Sequence, residues 1–110
     1  MEKKSFPRPD WSPVPREGCE NVDGQVLLVD KRAVVASLKL DANGQTDLHP
    51  ATYDIHVLCI EGAGFTQCGD EHTELRAGET VLWPKDIPHN LYTRDSSMTT
   101  IMIEHVHQLG

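Results

Sequence analysis

The sequence is a succession of short apolar runs that end at glycine, proline, asparagine or aspartate. Residues 33–40 form one such run, and the turn-forming residues 41–44 follow it; residues 55–60 form another, which ends at a glycine-containing segment. Runs of this length between Gly and Pro turns predict β-strands, and no segment has the sustained 3.6-residue apolar period of a helix. We therefore expect an all-β domain built as an antiparallel barrel or sandwich.

The first 20 residues differ from the rest in their proline content, with prolines at positions 7, 9, 13 and 15. Proline fixes φ and lacks a backbone donor, so this segment is expected to be extended and not helical. The sequence thus predicts an N-terminal arm over residues 1–20 and a barrel domain over residues 21–110. Trp11 and Val14 are expected to hold the arm against the barrel.

The charge and cysteine content restrict the classes of partner. A formal charge of −7 argues against binding to nucleic acid or to anionic membranes, because both need a basic surface. No run of about 20 apolar residues predicts a membrane span, and the N-terminus lacks the apolar run of a secretory signal. Three cysteines (Cys19, Cys59 and Cys68) favour reduced thiols over a disulfide framework. We expect a cytoplasmic protein that binds a small molecule or a second copy of itself.

Two segments carry an ordered pattern of glycine, proline and histidine. The first contains Gly44, His49, Ala51, Ile55 and Gly62 in that order. The second contains Gly78, Pro84, Asp86, His89 and Thr93. Together they resemble the two signature motifs of the cupin family, and the resemblance covers residues 25–106. It implies an antiparallel barrel of the double-stranded jelly-roll type.

The resemblance also implies a candidate metal site. In cupins, two histidines and a carboxylate from the first motif and one histidine from the second hold a divalent metal inside the barrel. His49 and His89 match two of these positions, which suggests zinc, iron, nickel or manganese. Ala51 and Ile55 stand at the other two positions, and neither side chain can donate an electron pair.

Neighbouring residues offer a third metal ligand. Asp54 and His56 flank position 55, and a bulge near Pro50 would turn His56 toward the interior. The sequence predicts a site of His49, His89 and either His56 or Asp54, with His105 as a further candidate. The alternatives are that His49 and His89 bind a ligand directly or only form hydrogen bonds, and that His56 lies in a subunit contact.

Four residues are expected to line the cavity: Tyr53, Ile55, Cys59 and Trp83. Plain core packing is the alternative for Tyr53, Cys59 and Trp83. Two functions fit these features. One is a metal-dependent isomerase, lyase or dioxygenase acting on a small metabolite, in which Tyr53 or Asp54 could serve as acid or base. The other is a non-catalytic module that binds a small ligand without metal.

The strand at residues 55–60 also predicts a homodimer. Val57, Leu58 and Ile60 place apolar side chains on both faces of that strand, whereas a strand with one solvated face should alternate. A second protomer would cover the outer face with two-fold symmetry. The alternative is that the Trp11 arm covers it within one chain.

Overall fold

The computed structural model describes residues 1–106, which contain eight β-strands and no helix. The strands are β1 (Arg8–Pro13), β2 (Glu20–Val29), β3 (Ala33–Gln45), β4 (Ile55–Cys68), β5 (Glu71–Arg76), β6 (Thr80–Trp83), β7 (His89–Tyr92) and β8 (Met98–His105). All their pairings are antiparallel. The predicted all-β fold class is therefore confirmed. No helix within residues 1–106 is long and apolar enough to cross a membrane.

The two longest strands close the sheet into a barrel. Strand β3 pairs with β2 and β8 over most of its length and meets β7 at its end, through Gln45 and Tyr92. Strand β4 pairs with β8 and β6 in its first half and with β5 and β7 in its second half. A circuit of β3, β8, β4 and β7 thus returns to its start, which removes the free edges in this part of the sheet.

Strand β4 changes partners at a bend between Cys59 and Ala63. The register with β8 shifts between Cys59 and Glu61, and Gly62 follows with φ of +76°. A Cβ atom at Gly62 would overlap the carbonyl oxygen of Ser97, so only glycine fits this position without rearrangement. The extra residue and the glycine together direct the second half of β4 into the opposite wall of the barrel.

Alternate residues of the central strands fill the barrel. Ile55, Val57 and Cys59 of β4 are at most 5% exposed, whereas Ile60 on the outer face is 51% exposed. The buried apolar core comprises Val22, Leu40, Ile55, Val57, Cys59, Leu75, Trp83, Leu91 and Met98. This period of two is what places some side chains in the cavity and their neighbours outside it.

Backbone and hydroxyl contacts join the two motif segments. Gly44 N donates to Thr93 Oγ1 at 2.8 Å, and Thr93 N donates to Gly44 O at 2.9 Å. Asp86 has φ of +67°, a left-handed conformation that aspartate tolerates better than most residues. A turn of the same kind can therefore form although Asp86 stands where the cupin motif has glycine.

The N-terminal arm forms a strand of its own. Strand β1 pairs with β2, and Val14 packs against the core. Trp11 is 43% exposed, so more than half of its surface is covered, and its part in holding the arm stays a prediction. Since β1 lies beside β2, it does not cover the outer face of β4. The division into an arm and a barrel domain stays a prediction.

Candidate functional site

A cavity of about 220 Å³ opens at the end of the barrel where β7 begins. It is lined by Val14, Arg16, Cys19, Leu38, Thr46, Asp47, His49, Ala51, Ile55, Trp83, His89, Met102 and Glu104. Six of these side chains are apolar, and the polar ones come mainly from the segment after β1 and from residues 46–49. The cavity thus combines an apolar wall with a few polar groups, as small-molecule sites do.

His49 and His89 face each other across this cavity. Their backbones form an isolated antiparallel bridge, with N···O distances of 3.3 and 3.1 Å. Their imidazole centroids are 5.1 Å apart in an edge-to-face arrangement with an angle of 64° between the rings. The bridge joins the first motif segment to the second, so one histidine from each motif reaches the same space.

His89 is the more buried of the two histidines, at 2% exposure. Its ring stacks on Trp83 with centroids 4.1 Å apart, and Nδ1 donates to the carbonyl oxygen of Ile87 at 3.1 Å. Burial, and secondarily the neighbouring His49, lowers the pKa of His89 from 6.5 to about 4. The ring is therefore neutral near pH 7, with its proton on Nδ1 and a lone pair on Nε2.

That lone pair has no partner among the described residues. Within residues 1–106, His89 Nε2 has no hydrogen-bond partner, and Asn90 Oδ1 is the one fully buried side-chain N or O atom that lacks one. Since Nε2 is unpartnered but not fully enclosed, and His89 lines the cavity, we infer that Nε2 faces it. A buried acceptor without a partner is costly, which makes this atom a natural contact for a ligand.

His49 belongs to a polar cluster at the cavity opening. Its Nδ1 donates to Asp47, at 3.0 Å from the carbonyl oxygen and 3.2 Å from Oδ2. Its Nε2 accepts from Arg16 Nη1 at 3.2 Å, and Arg16 Nη2 lies 2.9 Å from Asp47 Oδ2. The Cys19 thiol donates to Asp47 Oδ1, and burial raises the pKa of this thiol, so it stays protonated. Asp47 thus holds three side chains in place.

The structure separates the other two predicted metal ligands from this pair. His56 lies on the outer face of β4, where its Nδ1 is 2.7 Å from Nε2 of His105. Asp54 accepts a hydrogen bond from Lys85 N at 2.8 Å and does not line the cavity. Residues 50–54 form a loop, and β4 begins with Ile55 facing inward, so the expected bulge near Pro50 does not turn His56 toward the cavity.

The donors around the cavity do not fit a resident divalent ion. Ala51 and Ile55 line the cavity at the positions where the cupin motif has ligands, and both are apolar. Within residues 1–106, no three His, Cys, Asp or Glu side chains are arranged to hold a metal. Protein metal sites usually have at least three ligands, and Nε2 of His49 is already bonded to a cationic side chain. The metal assignment remains a prediction to be measured.

The four expected cavity residues divide into two pairs. Ile55 and Trp83 line the cavity. Cys59 is buried in the core further along β4, and Tyr53 lies in the loop before β4 with 38% of its surface exposed. Cys59 faces inward as its position predicts, but it lies four residues beyond Ile55 along β4 and does not line the cavity.

Sequence reasoning did not assign eight of the lining residues to the cavity: Val14, Arg16, Cys19, Leu38, Thr46, Asp47, Met102 and Glu104. Asp47 could have been assigned to the cavity from the sequence. It lies two residues before His49, and residues two apart in an extended segment share a face. Met102 and Glu104 are also two residues apart, on β8, and share the face that lines the cavity. Arg16 carries no signal of this kind, since its place depends on how the segment after β1 crosses the opening.

Comparison with solved structures supports the architecture. The polyketide cyclase RemF from Streptomyces resistomycificus superposes with a TM-score of 0.82 at 19% identity, covering 100% of this chain and 83% of that one. A cupin-2 domain protein from Rhodospirillum rubrum gives 0.80 at 15% identity, with 100% and 78% covered. A cupin-like protein from Thermotoga maritima gives 0.79 at 21% identity, with 98% and 85% covered.

Sequence comparison adds nothing to this: no protein-family model and no curated protein matches the chain significantly. At identities near 20%, the structural similarity establishes the fold and not the activity. The resemblance to cupins read from the two motif segments is thus confirmed for the architecture. This chain has the cupin fold, a closed antiparallel β-barrel with additional strands.

Proposed function

We propose that the protein is a binding module that takes up a small, mostly apolar molecule carrying a hydroxyl group, without a resident metal ion. The observation that carries this proposal is the unpartnered Nε2 of His89 at the cavity wall. An acceptor of this kind favours a ligand that donates a hydrogen bond, and the surrounding apolar side chains favour a hydrocarbon body.

The size of the cavity limits the ligand. At about 220 Å³ it is smaller than the roughly 300–1,000 Å³ of sites for drug-sized molecules. Trp83 and His89, whose rings stack with centroids 4.1 Å apart, both line the cavity, so an aromatic ligand would lie beside two aromatic side chains. A small phenol is therefore a suitable probe of the site.

Binding is favoured over catalysis by the low basicity of His89. A general base works best when its pKa lies near the operating pH, and a pKa of about 4 is far below neutrality. Such an imidazole accepts a hydrogen bond but holds an abstracted proton poorly. A polyketide cyclase shares the fold, so turnover of a ligand by this cavity is a reasonable second measurement.

The metal-dependent enzyme is the second candidate. It is favoured by the Nδ1 atoms of both histidines, which donate to oxygen atoms as those of metal-bound histidines do. The missing third donor counts against it. Elemental analysis of the purified protein separates the candidates: one equivalent of zinc, iron, nickel or manganese supports the enzyme, and a substoichiometric content supports the binding module.

Nuclear magnetic resonance can test the binding module directly, because the chain has only two tryptophans. The indole N–H signal of Trp83 should shift on titration with phenol, while that of Trp11, in β1, should not. Trp11→Phe assigns the two signals. Anisole, which has no hydroxyl donor, should bind at least fivefold more weakly than phenol.

His89→Asn keeps a donor near the position of Nδ1 and removes Nε2. We expect this variant to lose the preference for phenol over anisole, while His72→Asn, at an exposed position of β5, retains it. Equal affinities for phenol and anisole in the unmodified protein, or no shift of the Trp83 signal with either, would contradict the proposal.

A further inference from the structure

The guanidinium group of Arg16 contacts Nε2 of His49, the nitrogen through which His49 would bind a metal. Because His49 Nδ1 donates to Asp47, Nε2 carries the lone pair, and Arg16 Nη1 donates to it at 3.2 Å. A guanidinium is always charged and can only donate, so Nε2 of His49 is the acceptor in this contact. The chain places a fixed cation of its own on that side of the cavity.

We infer that Arg16 binds a neutral carbonyl oxygen of the ligand, so that the ligand class is a hydroxy-carbonyl compound held between Arg16 and His89. This inference rests on the proposed function, because it adds a second contact to the same cavity. His89 accepts from the hydroxyl group, and Arg16 donates to the carbonyl group.

Arg16 has donors to spare for such a contact. A guanidinium offers five N–H groups, and its contacts with Asp47 and His49 are made through Nη2 and Nη1. Asp47 fixes it in place and is itself fixed by the thiol of Cys19 at 3.3 Å. A donor held in position before the ligand arrives loses little conformational entropy on binding.

The charges around Arg16 favour a carbonyl over a carboxylate. The side chain of Arg16 is balanced by Asp47, and Glu104 contributes a further negative charge to the cavity wall. A carboxylate ligand would therefore enter a region with a net negative charge. A carbonyl oxygen accepts from the guanidinium without this repulsion.

The test compares two ligands of similar shape, 4-hydroxyacetophenone and 4-ethylphenol, which differ in the carbonyl oxygen. Their dissociation constants are measured from the shift of the Trp83 indole signal. We expect the unmodified protein to bind 4-hydroxyacetophenone at least fivefold more tightly than 4-ethylphenol. In Arg16→Gln this preference should fall below twofold, while the affinity for 4-ethylphenol changes little. Arg32→Gln, in the exposed turn before β3, should keep the full preference.

The outcomes distinguish this inference from the proposed function. If both ligands bind with equal affinity, or if Arg16→Gln keeps the preference, the role of Arg16 is wrong while the binding module stands. If neither ligand shifts the Trp83 signal, both proposals fail. One equivalent of metal per chain in the purified protein would also overturn the role of Arg16, because a metal ion and a guanidinium cannot share His49 Nε2.

Discussion

At the scale of single residues, His89 combines two properties that rarely occur together in a titratable side chain. It is almost fully buried, yet one of its nitrogens reaches a cavity. Burial stabilises the neutral form, and the Nδ1 contact with Ile87 decides which nitrogen keeps the proton. The result is an acceptor of fixed direction, which a free histidine in water does not provide.

The lowered pKa of His89 predicts a pH-dependent stability. Between its ordinary pKa of 6.5 and its folded value of about 4, the unfolded chain binds a proton that the folded chain does not. Acidification from pH 6.5 to pH 4 should therefore destabilise the fold through this residue, by up to about 3 kcal/mol, and the contribution is complete above pH 6.5. Urea unfolding of the unmodified protein and of His89→Asn at pH 7.5, 5.5 and 4.5 measures it.

We expect the two stability curves to converge as the pH falls. The charged and titratable groups that face His89, namely Arg16, Asp47, His49 and Glu104, are present in both proteins and largely cancel in the difference. His72→Asn should follow the unmodified protein at every pH. Parallel curves for the unmodified protein and His89→Asn would show that His89 is not the group responsible.

The apolar residue at position 51 predicts a gain of metal binding by substitution. Ala51 lines the same cavity as His49 and His89, so Ala51→His would supply a third imidazole, and the zinc affinity should rise at least tenfold. Combining it with Arg16→Gln should raise the affinity further by freeing Nε2 of His49. Titration against a zinc-binding dye measures both. Tyr53→His, which adds a histidine at an exposed site, should have no effect; an equal gain there would contradict this account of the cavity.

At the scale of elements, the course of β4 determines which side chains reach the cavity. The strand begins with Ile55 inward, and its register shifts only between Cys59 and Glu61, beyond the cavity. His56 and Ile60 consequently face outward. The bend at Gly62 then carries the strand into the opposite wall, where it pairs with β5 and β7.

Two glycines with similar backbone angles provide a test of this bend. Gly62 has φ of +76° and Gly78 has φ of +93°, so alanine is strained at both. A Cβ at Gly62 would also overlap the backbone of Ser97, whereas a Cβ at Gly78 meets no atom within 4 Å. We expect Gly78→Ala to cost about 1–2 kcal/mol of unfolding free energy and Gly62→Ala about 3 kcal/mol or more, measured by urea denaturation. Equal losses would mean that the contact with Ser97 does not constrain the bend.

The elements could be predicted from the sequence because their causes are local. Pro84 and the period of two along β4 depend on neighbours in the chain, and they indicated the strands, the inward side of Ile55 and the barrel. The turn expected at residues 41–44 is wrong, because β3 continues through these residues to Gln45. The bulge was expected near position 50 but lies between Cys59 and Glu61. A proline indicates that a strand is interrupted, but it does not indicate which side chains point inward after the interruption. Arg16 could not be placed at all, since its contacts with Asp47 and His49 cross 31 and 33 residues of the chain.

At the scale of the whole molecule, one face of the barrel carries an apolar surface with no cover from the described residues. It comprises the outward side chains Leu58 and Ile60 of β4, Leu82 of β6, and Ile101 and Ile103 of β8. Leu82 and Ile60 are 47% and 51% exposed. His56 and His105 lie on the same face and form a hydrogen bond with each other. Strand β1 pairs with β2, so the arm leaves this face open.

This face is the basis for the prediction of a homodimer. Covering an apolar surface with a second copy of the chain removes it from water, which lowers the free energy. In a dimer with two-fold symmetry, the same patch of each protomer forms the interface. We expect light scattering at about 10 µM to give twice the 12.3 kDa chain mass. The double variant Ile60→Lys and Leu82→Lys should give the monomer mass, because it places charges in the middle of the interface. Val29→Lys, a substitution of a 56% exposed residue on β2, should remain dimeric. A monomer mass for the unmodified protein, or loss of the dimer in Val29→Lys alone, would show that the outer face of β4 and β8 does not join two copies.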